Sequence, residues 1–306
     1  MIQKVCNTTC SVDKSFPPTL ESQAMSVSQQ VSEFFNFSVD KFPLSFPDNQ
    51  RTSWYGLQRS DTSEQVGSPV SSRYLPHTTD DVVAMVEAAE TAFDGQAAVK
   101  CCWNEGHYVI VQPSIDQRLA VYGTKDNVFP RLVIRAGYDG KAYSGSLCLY
   151  RDACKNLAMM RKVSGVNVSI RHTGNLRCKM DSLISTMSKL KDSWSNLTAV
   201  VQHMESKPVV LADFLNEMYP VPTDSGRSQT EHKNRTEAIV NRLINERYKT
   251  GRPALEKTVS SWEMYNAIQG YSQWDRRRNG TKDVLKRAIM SWSDPSVIKA
   301  ESLLVG

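Results

Sequence analysis

Five histidines (His77, His107, His172, His203, His232) and seven cysteines (Cys6, Cys10, Cys101, Cys102, Cys148, Cys154, Cys178) are the side chains with the most chemistry to offer. A nucleophile needs a base within hydrogen-bond reach, and no histidine stands in a pattern with Ser, Cys or acids. Zinc needs four ligands at recognisable spacings; Cys148, Cys154 and His172 do not supply them, and no CxxC pair is present. The vicinal Cys101 and Cys102 fall in a β-rich run, where one thiol faces each way as a small hydrophobe. Gly137, Gly140 and Lys141 lack the spacing of a phosphate-binding loop and read as a hairpin turn. No paired carboxylates mark a metal site. The sequence therefore predicts no catalytic centre, cofactor, metal or nucleotide hydrolysis. An odd cysteine count without a disulfide framework fits a reducing cytoplasm.

Cation and ring chemistry remains. Single nucleic-acid strands are held by a cationic groove together with rings on which bases stack. Tyr138, Tyr143 and Tyr150 lie among Arg135, Lys141, Arg151 and Lys155, with Arg161, Lys162 and Arg171 following. Near the C-terminus Arg276, Arg277 and Arg278 form a loop cluster ahead of Asn279-Gly280. The net charge of +5 is unevenly spread. Residues 1–98 carry 6 Lys/Arg against 12 Asp/Glu and residues 99–179 carry 13 against 5. Residues 180–225 carry 3 against 6, and residues 226–306 carry 15 against 9. Two basic blocks separated by an acidic one suit phosphate contacts. The predicted phosphate contacts are Arg135, Lys141, Arg151, Lys155, Arg161, Lys162, Arg171, Arg276, Arg277 and Arg278, and the predicted stacking rings are Tyr138, Tyr143 and Tyr150.

The elements that must position these residues can be read from periodicity. Residues 1–50, rich in Ser, Thr, Gln, Pro and Phe, read as a partly ordered arm; Pro43 and Pro47 deny it a helix interior. Asp80 and Asp81 after Thr79, then Val82, Val83, Met85, Val86, Ala89 and Phe93 on one side, predict a helix that Gly95 stops. Residues 97–150 hold four or five short β-rich runs with turn signals at Asn104-Glu105-Gly106 and Asp139-Gly140, an antiparallel meander. Within it Arg131, Val133 and Arg135 fall on one face and Leu132 and Ile134 on the other, giving the sheet a basic face. Leu176, Met180, Leu183, Met187, Leu190, Trp194, Leu197, Val201 and Met204 step by 4 and 3 along a helix about 43 Å long. That seam fits a coiled coil or a long helix packed on its own domain, and thin e/g charge pairing favours the second. The fold class is α+β: an arm over residues 1–50, an α+β core with an antiparallel sheet over 51–175, and a helical region over 176–306. No apolar run approaches the roughly 20 residues a membrane helix needs, and the start of the chain lacks a secretory signal pattern.

Four segments carry a family resemblance: YGLQRSDTSEQVGSPVSSRYLP (55–76), CLYRDACKN (148–156), IRHTGN (170–175) and SWEMYNAIQGY (261–271). In that order they resemble the phage- and plasmid-like proteins grouped as domain of unknown function 932, over about residues 30–290. Where that family often shows a Cys-x-Asn-Gly run, this chain has Cys154, Lys155 and Asn156. The resemblance implies a phage or mobile-element origin, hence a host cytoplasm, and no established activity. More loosely, a basic antiparallel sheet followed by helices looks like the core of phage single-strand annealing proteins, which often form rings or filaments.

The expectation is a non-enzymatic protein that binds single-stranded nucleic acid, or anneals strands in phage DNA metabolism, as a homo-oligomer away from membranes. The competing expectation is an interaction module that sequesters a host factor against a defence system, working through the acidic arm and the heptad helix. A virion component is a third.

Overall fold

The computed structural model describes residues 37–103, 106–113, 116–138, 140, 142–171, 176–224, 226–276 and 283–305. The first described elements are strands, not a coil. β1 (Val39–Ser45) pairs antiparallel with β2 (Arg51–Arg59), which pairs with β3 (Val70–Ser71). Pro43 is tolerated because β1 is an edge strand of this small sheet. The predicted arm is therefore ordered from Val39 onward. Its remainder lies outside the described residues.

Helix α1 (Thr79–Phe93) follows, opened by a capping box in which the Thr78 side chain accepts from the Asp81 amide while the Asp81 carboxylate accepts from the Thr78 amide. The cap is thus one residue earlier than the acids alone suggest. Asp94, at φ 45°, ends the helix, and Gly95 serves another purpose. A Cβ there would sit 2.4 Å from the Gln112 carbonyl oxygen, so the glycine permits close strand approach.

The central sheet comprises β4 (Gly95–Trp103), β5 (Gly106–Pro113), β6 (Leu119–Tyr122), β7 (Asp126–Gly137), β8 (Tyr143–Arg151), β9 (Asn156–Ala158) and β10 (Asn167–Ile170). Its order is β10-β8-β7-β5-β4, all pairs antiparallel, with β6 added to β7 and β9 to β8. Strand alternation divides it as the sequence predicts. Leu132, Ile134 and Ala136 of β7, with Val109, Val111, Leu147 and Leu149 from its neighbours, face the main core. Val133, with Ile110, Cys148 and Tyr150, faces the other way.

The main face is covered by α1 and by α2 (Leu176–Ser206). Leu190, Leu197, Val201 and Met204 of the heptad seam are fully buried in this intramolecular core. The side chains of Leu176, Met180, Leu183 and Met187 lie outside the described set. The described half of the seam packs on its own domain, so it offers no coiled-coil surface. After a short pair of strands, β11 (Pro208–Val210) and β12 (Thr258–Ser260), the rest is helical: α3 (Leu211–Met218), α4 (Gly226–Thr250), α5 (Ser261–Gly270), a π-helical turn (Tyr271–Asp275), α6 (Val284–Trp292) and α7 (Pro295–Leu304). The result is an α+β fold with a helical C-terminal half. No helix among the described residues is long and apolar enough to cross a membrane.

Candidate nucleic-acid interface

Helix α6 covers only part of the second face of the sheet. Its Leu285, Ala288 and Trp292 close over Ile110, Val133, Cys148, Tyr150 and Leu157. Toward the end of β7 the same face turns polar, because Arg135 lies opposite Ser144 of β8, and Ser146 lies beside Asn167 of β10. The segment 159–166 between β9 and β10 rises as a wall. Three bonds hold it: the Lys162 amide donates to Glu301 Oε1 at 2.5 Å, the Leu147 amide to the Val166 carbonyl at 2.7 Å, and Ser146 Oγ to Asn167 Oδ1 at 2.7 Å. Gly165, at φ +79°, lets the segment turn against α2, where a Cβ would meet Ser193 Oγ at 2.7 Å. The opposite wall is the end of α6, fixed by the Trp292 indole N–H donating to the Leu157 carbonyl at 2.8 Å and by Gln269 donating to Ser291 Oγ at 2.8 Å.

Floor and walls enclose an open cleft of about 720 Å³. Arg135 and Arg161 line it, with the hydroxyls of Ser144, Ser146, Ser164 and Ser293 and the amide of Asn167. Arg161 is exposed, and its charge is felt by the buried Glu301 carboxylate behind the wall. Arg135 is half-buried and donates to the Ala142 carbonyl at 3.3 Å. Two residues back on the same face, Arg131 is 7% exposed, beside the rings of Tyr150 and Phe129 at 5.0 and 5.7 Å. Burial lowers its pKa to about 10, so it stays protonated at neutral pH. This face is cationic, rich in hydrogen-bond donors and poor in acids, an arrangement suited to phosphate oxygens.

The predicted contacts divide accordingly. Arg135 and Arg161 share the cleft. Lys162 and Arg171 are exposed on its flanking segments, without ion pairs among the described residues. Lys155 is drawn to Asp152 at 2.5 Å. Arg276 pairs at 2.5 Å with Asp294, the residue after the cleft-lining Ser293. Lys141, Arg277 and Arg278 lie outside the described residues. Arg151 is withdrawn from the set. It is 2% exposed and bound to Asp126 through two bonds at 2.7 and 2.8 Å, and to Glu246 at 2.5 Å. The three tyrosines are corrected as well. Tyr138, Tyr143 and Tyr150 are 3%, 0% and 3% exposed, so packing leaves no ring face for a base. The cleft hydroxyls escaped the sequence reading. Their signal was the alternation of Ser144 and Ser146 with apolar residues in β8, in step with Arg135 across the ladder.

At the other end of the β7–β8 ladder a second polar centre is sealed inside the protein. Arg252 joins Asp126 at 3.0 Å to Glu205 at 2.6 Å, and Arg247 binds Glu263 at 2.8 Å. Asn156 donates to the Asn266 carbonyl and accepts from the Trp274 indole, both at 3.0 Å. Segments 148–156 and 261–271, two that carry the family resemblance, therefore meet at this interior. Burial pushes the Cys154 thiol up to about 12, the opposite of what a thiolate nucleophile needs. Among the described residues, no group of three His, Cys, Asp or Glu is placed to hold a metal ion.

No curated protein and no solved structure matches the chain at a significant level. The family model described as Domain of unknown function (DUF932) matches residues 67–292. That span takes in the central sheet, both walls of the cleft and the buried ionic centre, and with well over half its length matched the chain belongs to the DUF932 family.

Proposed function

We propose that the protein binds a single nucleic-acid strand in the cleft on the second face of its sheet. The observation that carries this reading is the convergence of Arg135 and Arg161, from strand and wall segment, on one open cleft lined otherwise by hydroxyls and an amide. Guanidinium groups take phosphate oxygens in forked pairs, and serine hydroxyls add sequence-independent contacts to phosphate and sugar. Among the described residues no acidic side chain lines the cleft to repel a polyanion. Binding of this kind does not choose a sequence, which suits annealing of complementary strands in the DNA metabolism of a phage or plasmid, carried out by an oligomer.

The test is fluorescence anisotropy with labelled single and double strands over a salt series, run beside light scattering for assembly size. Each neutralised phosphate contributes a slope of about −0.7 in log affinity against log salt for a single strand. The Arg135→Ala/Arg161→Ala variant should bind at least tenfold more weakly, with a slope shallower by about 1.4. An unchanged slope and affinity would overturn the assignment.

A further inference from the structure

With the three central tyrosines in the core, stacking rings must come from elsewhere. Among the described residues the exposed aromatic side chains are Phe46, Trp54, Tyr122 and Tyr248. The Tyr122 ring is already capped by the Arg252 guanidinium at 4.2 Å. Tyr248 stands on α4, which contributes nothing to the cleft lining. Trp54 is different on both counts.

It lies in β2 of the small N-terminal sheet, 53% exposed. Partners across β-strands share a face. Trp54 is opposite Ser71, and Gly56, the next residue on that face, is opposite Phe42. A Cβ at Gly56 would be 2.4 Å from Phe42 Cζ, so the glycine is what allows the Phe42 ring to lie over the strand there. The other face of the sheet is fully used: Tyr55, Leu57 and Val70 pack with Val39, Val66, Tyr74 and Tyr138. The Trp54 face therefore leaves about half of the indole open to solvent.

Over residues 37–75 the charges balance, Lys41, Arg51, Arg59 and Arg73 against Asp40, Asp48, Asp61 and Glu64, so what matters is which of them stand near the indole. Arg73, two residues beyond the Ser71 that pairs with Trp54, is exposed and forms no ion pair among the described residues. Asp61 is occupied by Arg59 at 2.7 Å, and Asp48 accepts from the Gln50 amide at 3.1 Å; Asp40, paired with Gln58, is the acid on the Trp54 face. The location is equally telling. The Tyr74 hydroxyl donates to the Gly137 carbonyl at 3.1 Å, and Tyr138 enters this sheet's core, so the small sheet is docked at the end of β7, two residues beyond Arg135. A strand leaving the cleft at its Arg135 end runs toward it.

We propose that the Trp54 face of the β1-β2-β3 sheet is a base-stacking platform for a single nucleic-acid strand, with Arg73 as its phosphate partner. The inference rests on the cleft reading for its substrate class. Stacking on one ring is worth about 1–3 kcal/mol per base, about 5- to 150-fold in affinity. With a fluorescein-labelled oligothymidylate as probe, Trp54→Ala should weaken binding at least fivefold without changing the salt slope, and Trp54→Phe should recover most of the loss. Arg73→Ala should instead make the slope shallower. Circular dichroism is the check that each variant is folded, and Arg73→Ala keeps the test alive should Trp54→Ala unfold. Unchanged affinity in Trp54→Ala, with Arg135→Ala/Arg161→Ala still impaired, overturns the platform and leaves the cleft standing. Unchanged affinity in both overturns the two together. A Trp54→Ala protein that loses assembly mass in light scattering, with binding falling only in proportion, assigns the face to a second copy and also overturns the platform.

Discussion

Arg151 holds two carboxylates in the protein interior, and their titration should be visible in stability. Burial is the largest influence on Asp126 and acts to raise its pKa, but bonds and charge from Arg151 and Arg252 outweigh it, so the carboxyl lies below its ordinary range. A lowered folded-state value means the unfolded chain takes up that proton more readily. The stability it confers is complete above the ordinary value of about 3.9 and is lost as pH falls through the folded value. Glu246 shifts the other way, because burial outweighs Arg151 and Arg242; its part is present below the ordinary range and is lost as pH rises through its raised value. Asp126→Asn separates the two. It should cost about 3–5 kcal/mol at neutral pH by leaving Arg151 short of a counter-charge, and it should flatten the acid limb below about pH 4 in urea unfolding measured across pH. Wild-type stability in Asp126→Asn would mean that the charges are not confined. The partners of Arg151 sit 25 and 95 positions away. That separation explains why its basic neighbourhood reads as a phosphate contact in sequence and turns out to be an interior anchor.

At the scale of elements, periodicity was legible and coverage was not. The alternation of Arg131, Val133 and Arg135 against Leu132 and Ile134 places each on the side the sheet requires. Parity also separates Tyr143 from Tyr150, since an odd and an even position of β8 cannot share a face. What parity omits is which face receives a helix: Tyr143 lies in the core under α1 and α2, and Tyr150 under α6. Pro43 and Pro47 conceal the first strands in the same way, because proline speaks against a central strand but not an edge. The heptad seam of α2 illustrates the reverse ambiguity, in which one period serves either a partner chain or the helix's own domain. Leu197 is fully buried in the main core. Leu197→Ala should therefore cost about 2–5 kcal/mol in denaturant unfolding, with assembly mass by light scattering unchanged at matched concentration. A change in mass without that loss of stability would return the seam to a coiled coil.

Considered as a whole, the molecule sets two candidate surfaces in series. The cleft offers guanidinium groups and hydroxyls without an exposed ring, and the small sheet offers a ring with Arg73 nearby, at the same end of β7. Two weak sites joined by one flexible strand act through effective concentration, and linkage can raise affinity by about 100-fold or more without any new contact. The gain is zero until the strand is long enough to occupy both. Affinity for an oligothymidylate series should consequently rise gradually with length, then step upward over a few nucleotides. Trp54→Ala should shrink the step at least fivefold while leaving the shortest oligomers bound as before. Arg135→Ala/Arg161→Ala should lower the entire curve, since the cleft holds the strand at every length. A smooth curve in the wild type, or a step of full height in Trp54→Ala, would mean that one strand does not bridge the two surfaces, however well each binds alone.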